Sequence, residues 1–130
     1  MPSEPKRKLA AIMFTDIVGY TAMMQKDERK TQDLVEQQRE LIKPLVVKHN
    51  GEVLRYMGDG TLCTFRSAIE AVNSAVEIQK ALIDEDKLNL RIGIHIGDIV
   101  FEGDDIYGDG VNIASRIEPL SEPGGICISG

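Results

Sequence analysis

The spacing of apolar and polar residues along the chain predicts strands and helices in a mixed order. Residues 9–15 form an apolar run that ends in Thr15, which is typical of a strand covered on both faces. Residues 90–97 alternate between apolar and other side chains, the period expected for a strand with one face in the core. Apolar positions recur at helical spacing over residues 26–49 and again over residues 67–82, so each of these segments is predicted to be an amphipathic helix.

The middle and the end of the chain add a hairpin, a further helix and a final strand. Two short strand-like runs flank Gly58-Asp59-Gly60, which predicts a β-hairpin with an acidic tip. Residues 111–120 have a helical pattern, and residues 126–128 begin another strand. A hairpin between helices favours an α+β fold, with a mixed sheet and helices packed on one face, over a purely parallel βαβ chain.

The ends of the chain set the expected domain boundaries. Residues 1–8 are polar, hold two prolines and lack periodicity, so we expect a flexible basic arm there. A single domain is predicted over residues 9–130. Because the sequence stops directly after a strand has begun, we expect this domain to lack its C-terminal part.

Composition and charge narrow the class of protein. Hydrophobic residues make up 42% of the chain and charged residues 28%, the balance of a folded soluble domain. The formal net charge of -6 opposes binding to phosphate polymers, so no nucleic-acid partner is expected. No apolar run predicts a membrane span. Cys63 and Cys127 lack metal-ligand spacing and are expected to be buried thiols, which indicates a reducing, cytoplasmic setting.

Two carboxylates have positions suited to chemistry. Asp16 follows the first predicted strand, and Asp59 lies at the hairpin tip. If that strand pairs beside the hairpin, both acids lie at one end of the sheet, where oxygen ligands can hold two hard cations. Turn formation by each Asp is the alternative, and these residues alone leave both interpretations open. The nearby Gly19 allows close approach of the backbone to an anion, and a helix starting there would aim N–H groups at phosphates.

A second candidate pair lies on the predicted helix near the C-terminus. Asn112 and Arg116 are separated by four residues and therefore share one face of a helix. An amide beside a guanidinium suits a nucleophilic oxygen and a phosphoryl group that develops charge. A surface ion pair from Arg116 to Glu118 or Glu122 is the alternative reading of the same spacing.

Three motifs in order carry a family resemblance. They are the sequence FTDIVGYT at residues 14–21, RYMGDG at residues 55–60, and DIYGDGVNIASR at residues 105–116. With them, the chain resembles the catalytic domain of class III nucleotide cyclases, the adenylate and guanylate cyclases, from about residue 9 to the last residue. The resemblance implies a ferredoxin-like core and a head-to-tail homodimer with active sites shared across its interface.

The resemblance also implies roles for individual residues. Two magnesium or manganese ions would be bound by Asp16 and Asp59, with help from the carbonyl of Ile17. The β- and γ-phosphates of the substrate would be bound by backbone amides of Gly19, Tyr20 and Thr21. The partner chain would supply Asn112 to orient the ribose, Arg116 to stabilise the transition state, and Arg55 with Asp105 to read the base.

The chain departs from the family pattern at the base-reading position. Adenylate cyclases of this family usually carry Lys where this chain has Arg55, whose planar fork has a different reach and donor geometry. Asp105 favours adenine, because a carboxylate accepts from the exocyclic amine. The expected reaction is therefore conversion of ATP to 3′,5′-cyclic AMP and pyrophosphate. A GTP or pyrimidine nucleotide cyclase and a catalytically silent regulatory module are the alternatives.

The length of the chain is a second departure. The resemblance implies a domain that continues past Gly130 with further strands and a phosphate-binding lysine. The activity of the 130-residue chain by itself is therefore left open.

Overall fold

The computed structural model describes residues 6–83, 88–102, 105–107 and 109–129. In chain order the elements are β1 (Lys6–Ile17), α1 (Tyr20–Lys26), α2 (Glu28–Lys48), β2 (Glu52–Met57), β3 (Gly60–Phe65), α3 (Ala68–Ile83), β4 (Leu90–Glu102), β5 (Asp105–Tyr107), α4 (Asp109–Ile117), a 3₁₀ turn (Glu118–Leu120) and β6 (Ile126–Ser129). Each predicted strand and helix is present in the predicted order, and the structure adds a short helix, α1, ahead of the first long one and a short strand, β5, after β4.

One sheet organises these elements. Its strands run in the order β2-β3-β1-β4-β5, and every neighbouring pair along this path is antiparallel. The first four strands, with helices between β1 and β2 and between β3 and β4, have the ferredoxin-like arrangement. β4 is 13 residues long, so its first half also pairs in parallel with β6 while its last residues pair with β5. The α+β class and the mixed sheet are therefore confirmed.

Helices α2 and α3 cover one face of the sheet, which we call the first face. Odd-numbered residues of β1, among them Ala11 and Met13, point to this face and pack with Ile92 and Ile94 of β4. Ile42 of α2 and other fully buried residues of the two helices complete this core. The buried residues of the two helices and of the strands are those that the sequence predicts. This is because the helical period of about 3.6 residues and the strand period of 2 determine which side chains share a face.

Helix α4 departs from the predicted placement of all helices on one face. Its residues Val111 and Ala114 pack against Ile12 and Phe14, even-numbered residues of β1 that point to the opposite, second face. Gly93 lies on this face of β4 and allows the backbone of the 3₁₀ turn after α4 to lie directly on the strand. An amphipathic stripe shows that a helix has a buried side but not which face of a sheet receives it.

Two further expectations need correction. Residues 6–8, predicted as part of the arm, belong to β1 because β4 is long enough to pair with them, and Lys8 Nζ lies 5.6 Å from the centroid of the Phe101 ring. Cys63 is buried as predicted, whereas Cys127 is only half-buried, since its strand β6 lies off the main path of the sheet. Neither cysteine forms a disulfide. In the described ranges, no helix combines the length and apolarity needed to cross a membrane.

Candidate active site

The pairing of β1 with β3 brings the two predicted carboxylates together. The turn between β2 and β3 carries Asp59, and Thr15 of β1 lies opposite Thr61 of β3. The backbone N–H of Ile17 donates to Asp59 Oδ2 over 2.9 Å. Asp59 is thereby fixed beside the residue that follows Asp16, and both acids lie at the same end of the sheet as predicted.

The Asp16 side chain has a specific electrostatic setting. It is half-buried at an even-numbered position of β1, and its Oδ1 is buried without a hydrogen-bond partner. In the antiparallel register Asp16 lies opposite Arg91 of β4. A buried carboxylate oxygen without a donor is costly, and a bound cation would satisfy it.

A third carboxyl, which the sequence reasoning missed, completes this cluster. Glu118, the first residue of the 3₁₀ turn, is only 6% exposed. Burial is the main cause that raises the pKa of Glu118 to about 8; a hydrogen bond to Asp16 and the charges of Asp16 and Asp59 act in the same direction, and Arg91 opposes them. Its environment therefore favours the protonated form. We call Asp16, Asp59, Arg91 and Glu118 the carboxylate cluster.

Tertiary contact, rather than local pattern, buries Glu118. A Cβ added at Gly93 would lie 2.5 Å from both the Cα and the N of Glu118, so glycine is required for this close approach. The sequence offered Glu118 only as a surface partner of Arg116. Its position two residues past the end of the third motif is the one signal that could have identified it.

The carboxylate cluster has the ligand atoms that a hard divalent cation prefers, but it does not form a complete coordination shell by itself. Asp16 and Asp59 offer carboxylate oxygens, the ligands that Mg²⁺ prefers, and one of these oxygens has no other partner. Within the described residues, no group of three or more His, Cys, Asp or Glu side chains has the arrangement of a metal site. A substrate phosphate and water are the usual remaining ligands of Mg²⁺.

The predicted phosphate segment begins α1 beside the carboxylate cluster. Gly19 is the N-cap of α1 with φ of 75°, a left-handed conformation that favours glycine, and it has no side chain to cap the helix. Tyr20 and Thr21 are the first two residues of the helix. Backbone N–H groups at these positions have no partner within a helix and can bind an anion.

Asn112 and Arg116 lie on the outer side of α4. Both are exposed, whereas Ala114 on the same helix is fully buried. Glu118 is buried, which rules it out as the surface partner of Arg116 in the alternative interpretation of this spacing. The two predicted catalytic side chains therefore face solvent in the single chain.

The predicted base-reading residues lie on the outer strands of the main path. Arg55 is exposed on β2, directly after a register shift between Val53 and Arg55. Asp105 begins β5 opposite Glu102, and its side chain lies outside the described part of the structure. Their joint role in base recognition stays a prediction.

Comparison with known proteins identifies the family of this site. The family model for the adenylate and guanylate cyclase catalytic domain matches residues 2–130. A Rhizobium meliloti protein whose name assigns it to the adenylate cyclases is 44% identical over 132 residues, which cover 95% of this chain and 22% of that protein. An adenylate cyclase of Streptomyces coelicolor is 29% identical and matches 85% of this chain. The chain spans 30% of the Streptomyces protein, so it corresponds to a minor part of both curated relatives.

Solved structures agree with this assignment. The adenylate/guanylate cyclase/hydrolase from Silicibacter pomeroyi is 40% identical with a TM-score of 0.88, and the match covers 96% of this chain and 77% of that one. The adenylyl cyclase CyaB from P. aeruginosa is 25% identical with a TM-score of 0.86, over 97% of this chain and 79% of that one. The chain therefore has the same fold as these two proteins.

Proposed function

Because the chain belongs to the adenylate and guanylate cyclase catalytic domain family, we propose that it cyclises a nucleoside triphosphate in signal transduction, preferentially ATP to 3′,5′-cyclic AMP and pyrophosphate. The hydrogen bond from Ile17 N–H to Asp59 Oδ2 carries this proposal, since it brings two acids together at the end of β1. The adenylate cyclase names of the two curated relatives support ATP as the substrate.

Each group of the site has a chemical task in this reaction. Asp16 and Asp59, with the Ile17 carbonyl, would hold two magnesium or manganese ions. When bound, the ions acidify the 3′-hydroxyl and neutralise charge on the triphosphate. Backbone N–H groups of Gly19, Tyr20 and Thr21 bind the β- and γ-phosphates.

Bond making and breaking centre on the α-phosphorus. The 3′-oxygen forms a bond to this phosphorus, its proton leaves to solvent, and the bond to pyrophosphate breaks. Arg116 stabilises the charge that develops on the phosphoryl oxygens, and Asn112 orients the ribose.

The active site is shared between two copies of the chain in this proposal. Asn112 and Arg116 are exposed on α4, while Asp16 and Asp59 lie at the end of β1 in their own chain. A two-fold dimer that places α4 of one copy at the carboxylates of the other would create two equivalent sites.

Base selectivity is assigned to Arg55 and Asp105. Asp105 accepts a hydrogen bond from the adenine amine, and Arg55 supplies donors. GTP is the second candidate substrate, because the similar Silicibacter pomeroyi protein is named as both an adenylate and a guanylate cyclase. Asp105→Ala should remove a charged hydrogen bond of about 1.5–3 kcal/mol and should impair ATP turnover more than GTP turnover. Equal losses for the two nucleotides would remove Asp105 from base recognition.

The test uses the protein at its natural length, two inactive variants and a mixture of both. Asp16→Asn should lower turnover by roughly 100-fold or more, since the loss of metal-based charge stabilisation is worth several kcal/mol. Arg116→Ala should be similarly inactive. In a mixed dimer one site carries both defects and the other carries neither. Random pairing makes about half of the dimers mixed, so co-expression should restore roughly a quarter of all sites.

Cyclic nucleotide formed per milligram of protein measures this recovery, and native mass spectrometry verifies the heterodimer. Asp98→Asn, which changes an exposed carboxylate of β4, is the matched control and should keep full activity. Full activity of Asp16→Asn would refute the metal assignment. Heterodimers without recovery would refute the shared site, and nucleotide binding without turnover by the parent protein would identify a silent module.

A further inference from the structure

We propose that Arg39 of α2 is a positioning residue, which holds the turn between β2 and β3 in the conformation that presents Asp59 to a divalent cation. This inference rests on the proposed function, since Asp59 is a metal ligand there. Arg39 itself contacts neither substrate nor metal in this assignment. It acts through the backbone of Gly58.

A hydrogen bond joins helix α2 to the turn that carries Asp59. Arg39 Nη2 donates to the carbonyl oxygen of Gly58 over 2.8 Å. Met57 pairs with Gly60 in the register of β2 and β3, which leaves two residues in the turn. These two residues are Gly58 and Asp59. The accepting carbonyl therefore belongs to the central peptide group of the turn, which also contains the N–H of Asp59.

The central peptide group of a two-residue turn has two alternative orientations. Turn types I and II differ mainly in the orientation of this group, and so do their mirror images. Gly58 has φ of 58° and Gly60 follows Asp59, so the flexible glycine backbone allows the group to rotate. Because a peptide group is planar, the hydrogen bond from Arg39 fixes the orientation of the whole group. The direction in which the Asp59 side chain leaves the turn is fixed with it.

The Asp59 carboxylate is used at the opposite side of the turn. Its Oδ2 accepts the hydrogen bond from Ile17 N–H over 2.9 Å, which brings it to the end of β1 beside Asp16. The turn is thus held from two sides, by β1 through a side chain and by α2 through a backbone carbonyl. Loss of the contact from Arg39 would leave the carboxylate free to take more than one position.

The Arg39 guanidinium differs from an ordinary solvated cation in its surroundings. Its Cζ lies 4.5 Å from the centroid of the Tyr56 ring, and its Nε is buried without a hydrogen-bond partner. Among the described residues it forms no ion pair, although Glu36 and Glu40 lie on the same helix. Stacking on the ring orients the planar guanidinium toward Gly58. A buried donor without a partner is costly, and attachment of the turn accounts for an arginine here.

The experiment measures two properties of the protein at its natural length and without nucleotide. Hydrogen–deuterium exchange with single-residue mass spectrometry reports the Ile17 N–H, whose acceptor is Asp59, and electron paramagnetic resonance reports Mn²⁺ binding. Arg39→Ala should speed exchange at Ile17 and weaken Mn²⁺ binding, each by about tenfold. Exchange in α3 should stay unchanged, because alanine favours a helix and Arg39 lies outside the apolar core.

Further variants identify the contact that is responsible. Arg39→Lys keeps a donor and should bind Mn²⁺ within roughly threefold of the parent. Lys43→Ala is the matched control, since it removes an exposed cation one turn further along α2 and should leave both properties unchanged. Should Arg39→Ala fail to fold, Arg39→Met replaces it, because it keeps a long side chain that cannot donate.

The outcomes separate this inference from the proposed function. If Asp59→Asn binds Mn²⁺ as tightly as the parent, the metal assignment itself fails and Arg39 loses its task. If Asp59→Asn loses Mn²⁺ while Arg39→Ala keeps the parent affinity, only the positioning role is overturned. Unchanged exchange at Ile17 in Arg39→Ala would also overturn it, as would equal loss of Mn²⁺ affinity in Arg39→Lys. Faster exchange throughout α3 would show a general structural role in its place.

Discussion

The two faces of the sheet differ in where they bury ionisable groups. On the first face, Cys63 is a fully buried ionisable side chain, and burial raises its pKa to about 12, so it stays neutral. The second face buries His95 and Glu118 and carries Asp16. Apolar packing on the first face stabilises the sheet, which allows the second face to hold polar groups whose burial is costly. Mutations on the two faces should therefore affect different properties.

The largest effect on stability is expected on the first face. Ile78 of α3 is fully buried, and Ile78→Ala should lower the free energy of unfolding by about 2–5 kcal/mol through lost burial and a cavity. Ile69 of the same helix is 72% exposed, so Ile69→Ala should change stability by less than about 0.5 kcal/mol. Urea unfolding of both variants measures the difference, and a comparable loss in the two would contradict the described orientation of α3.

A smaller loss is expected where the 3₁₀ turn lies on β4. A Cβ at Gly93 would lie 2.5 Å from backbone atoms of Glu118, so Gly93→Ala must displace the turn and should cost about 1–3 kcal/mol. At Gly97 the added Cβ would meet the His95 ring at 2.8 Å from Nε2, and a side chain can move aside. Gly97→Ala should therefore cost less. The same urea series compares the two, and a larger loss at Gly97 would refute the account of the turn.

These results show which parts of the molecule local sequence patterns could predict. The period of two in β4 and the stripe of α3 gave their elements and buried faces, because each depends on a few neighbouring residues. Asp16 and Asp59 could be paired only on the condition that β1 lies beside the hairpin. Strand order is set by contacts between distant segments, so the sequence supplied this condition as a hypothesis that the structure confirms.

Glu118 illustrates what local patterns could not supply. In sequence it is an acid two residues after Arg116, and nearby charged residues of this kind are usually exposed at the surface. Its burial depends on Gly93, which is 25 residues earlier, and on the end of α4, where the chain continues as a 3₁₀ turn. The same lack of long-range information explains two further errors of the sequence-based prediction. It placed α4 on the same face of the sheet as the other helices, and it placed residues 6–8 outside β1.

Thiol labelling sharpens the comparison without changing stability. Because the thiolate is the reactive form, the raised pKa and full burial of Cys63 should keep it unreactive toward iodoacetamide in the folded protein at about pH 8. Cys127 on β6 is partly accessible and should be labelled first. Mass spectrometry of peptides after increasing times gives the order, with Cys127→Ser as the control. Early labelling of Cys63 would show that the first face opens readily.

The smallest effect is expected for charge on the outside of the first face. Lys48 Nζ lies 3.0 Å from Glu77 Oε1, and His49 Nε2 lies 3.1 Å from the same oxygen. The hydrogen bond from Lys48 is the main cause that lowers the pKa of Glu77 below its ordinary value of 4.5, with His49 adding to it. A lowered folded-state pKa stabilises the protein above the ordinary value, and this contribution is lost as the pH falls through the lowered pKa.

Glu77→Gln tests this pH dependence through urea midpoints measured from about pH 6 to about pH 3. The parent should be slightly more stable than Glu77→Gln at the upper end, and the gap should close as Glu77 becomes protonated. Glu36→Gln, which changes an exposed acid of α2, should follow the parent without a comparable gap. A gap that widens as the pH falls would contradict the sign of the shift. The contribution is small because both charges are solvated, unlike the acid that the second face encloses at Glu118.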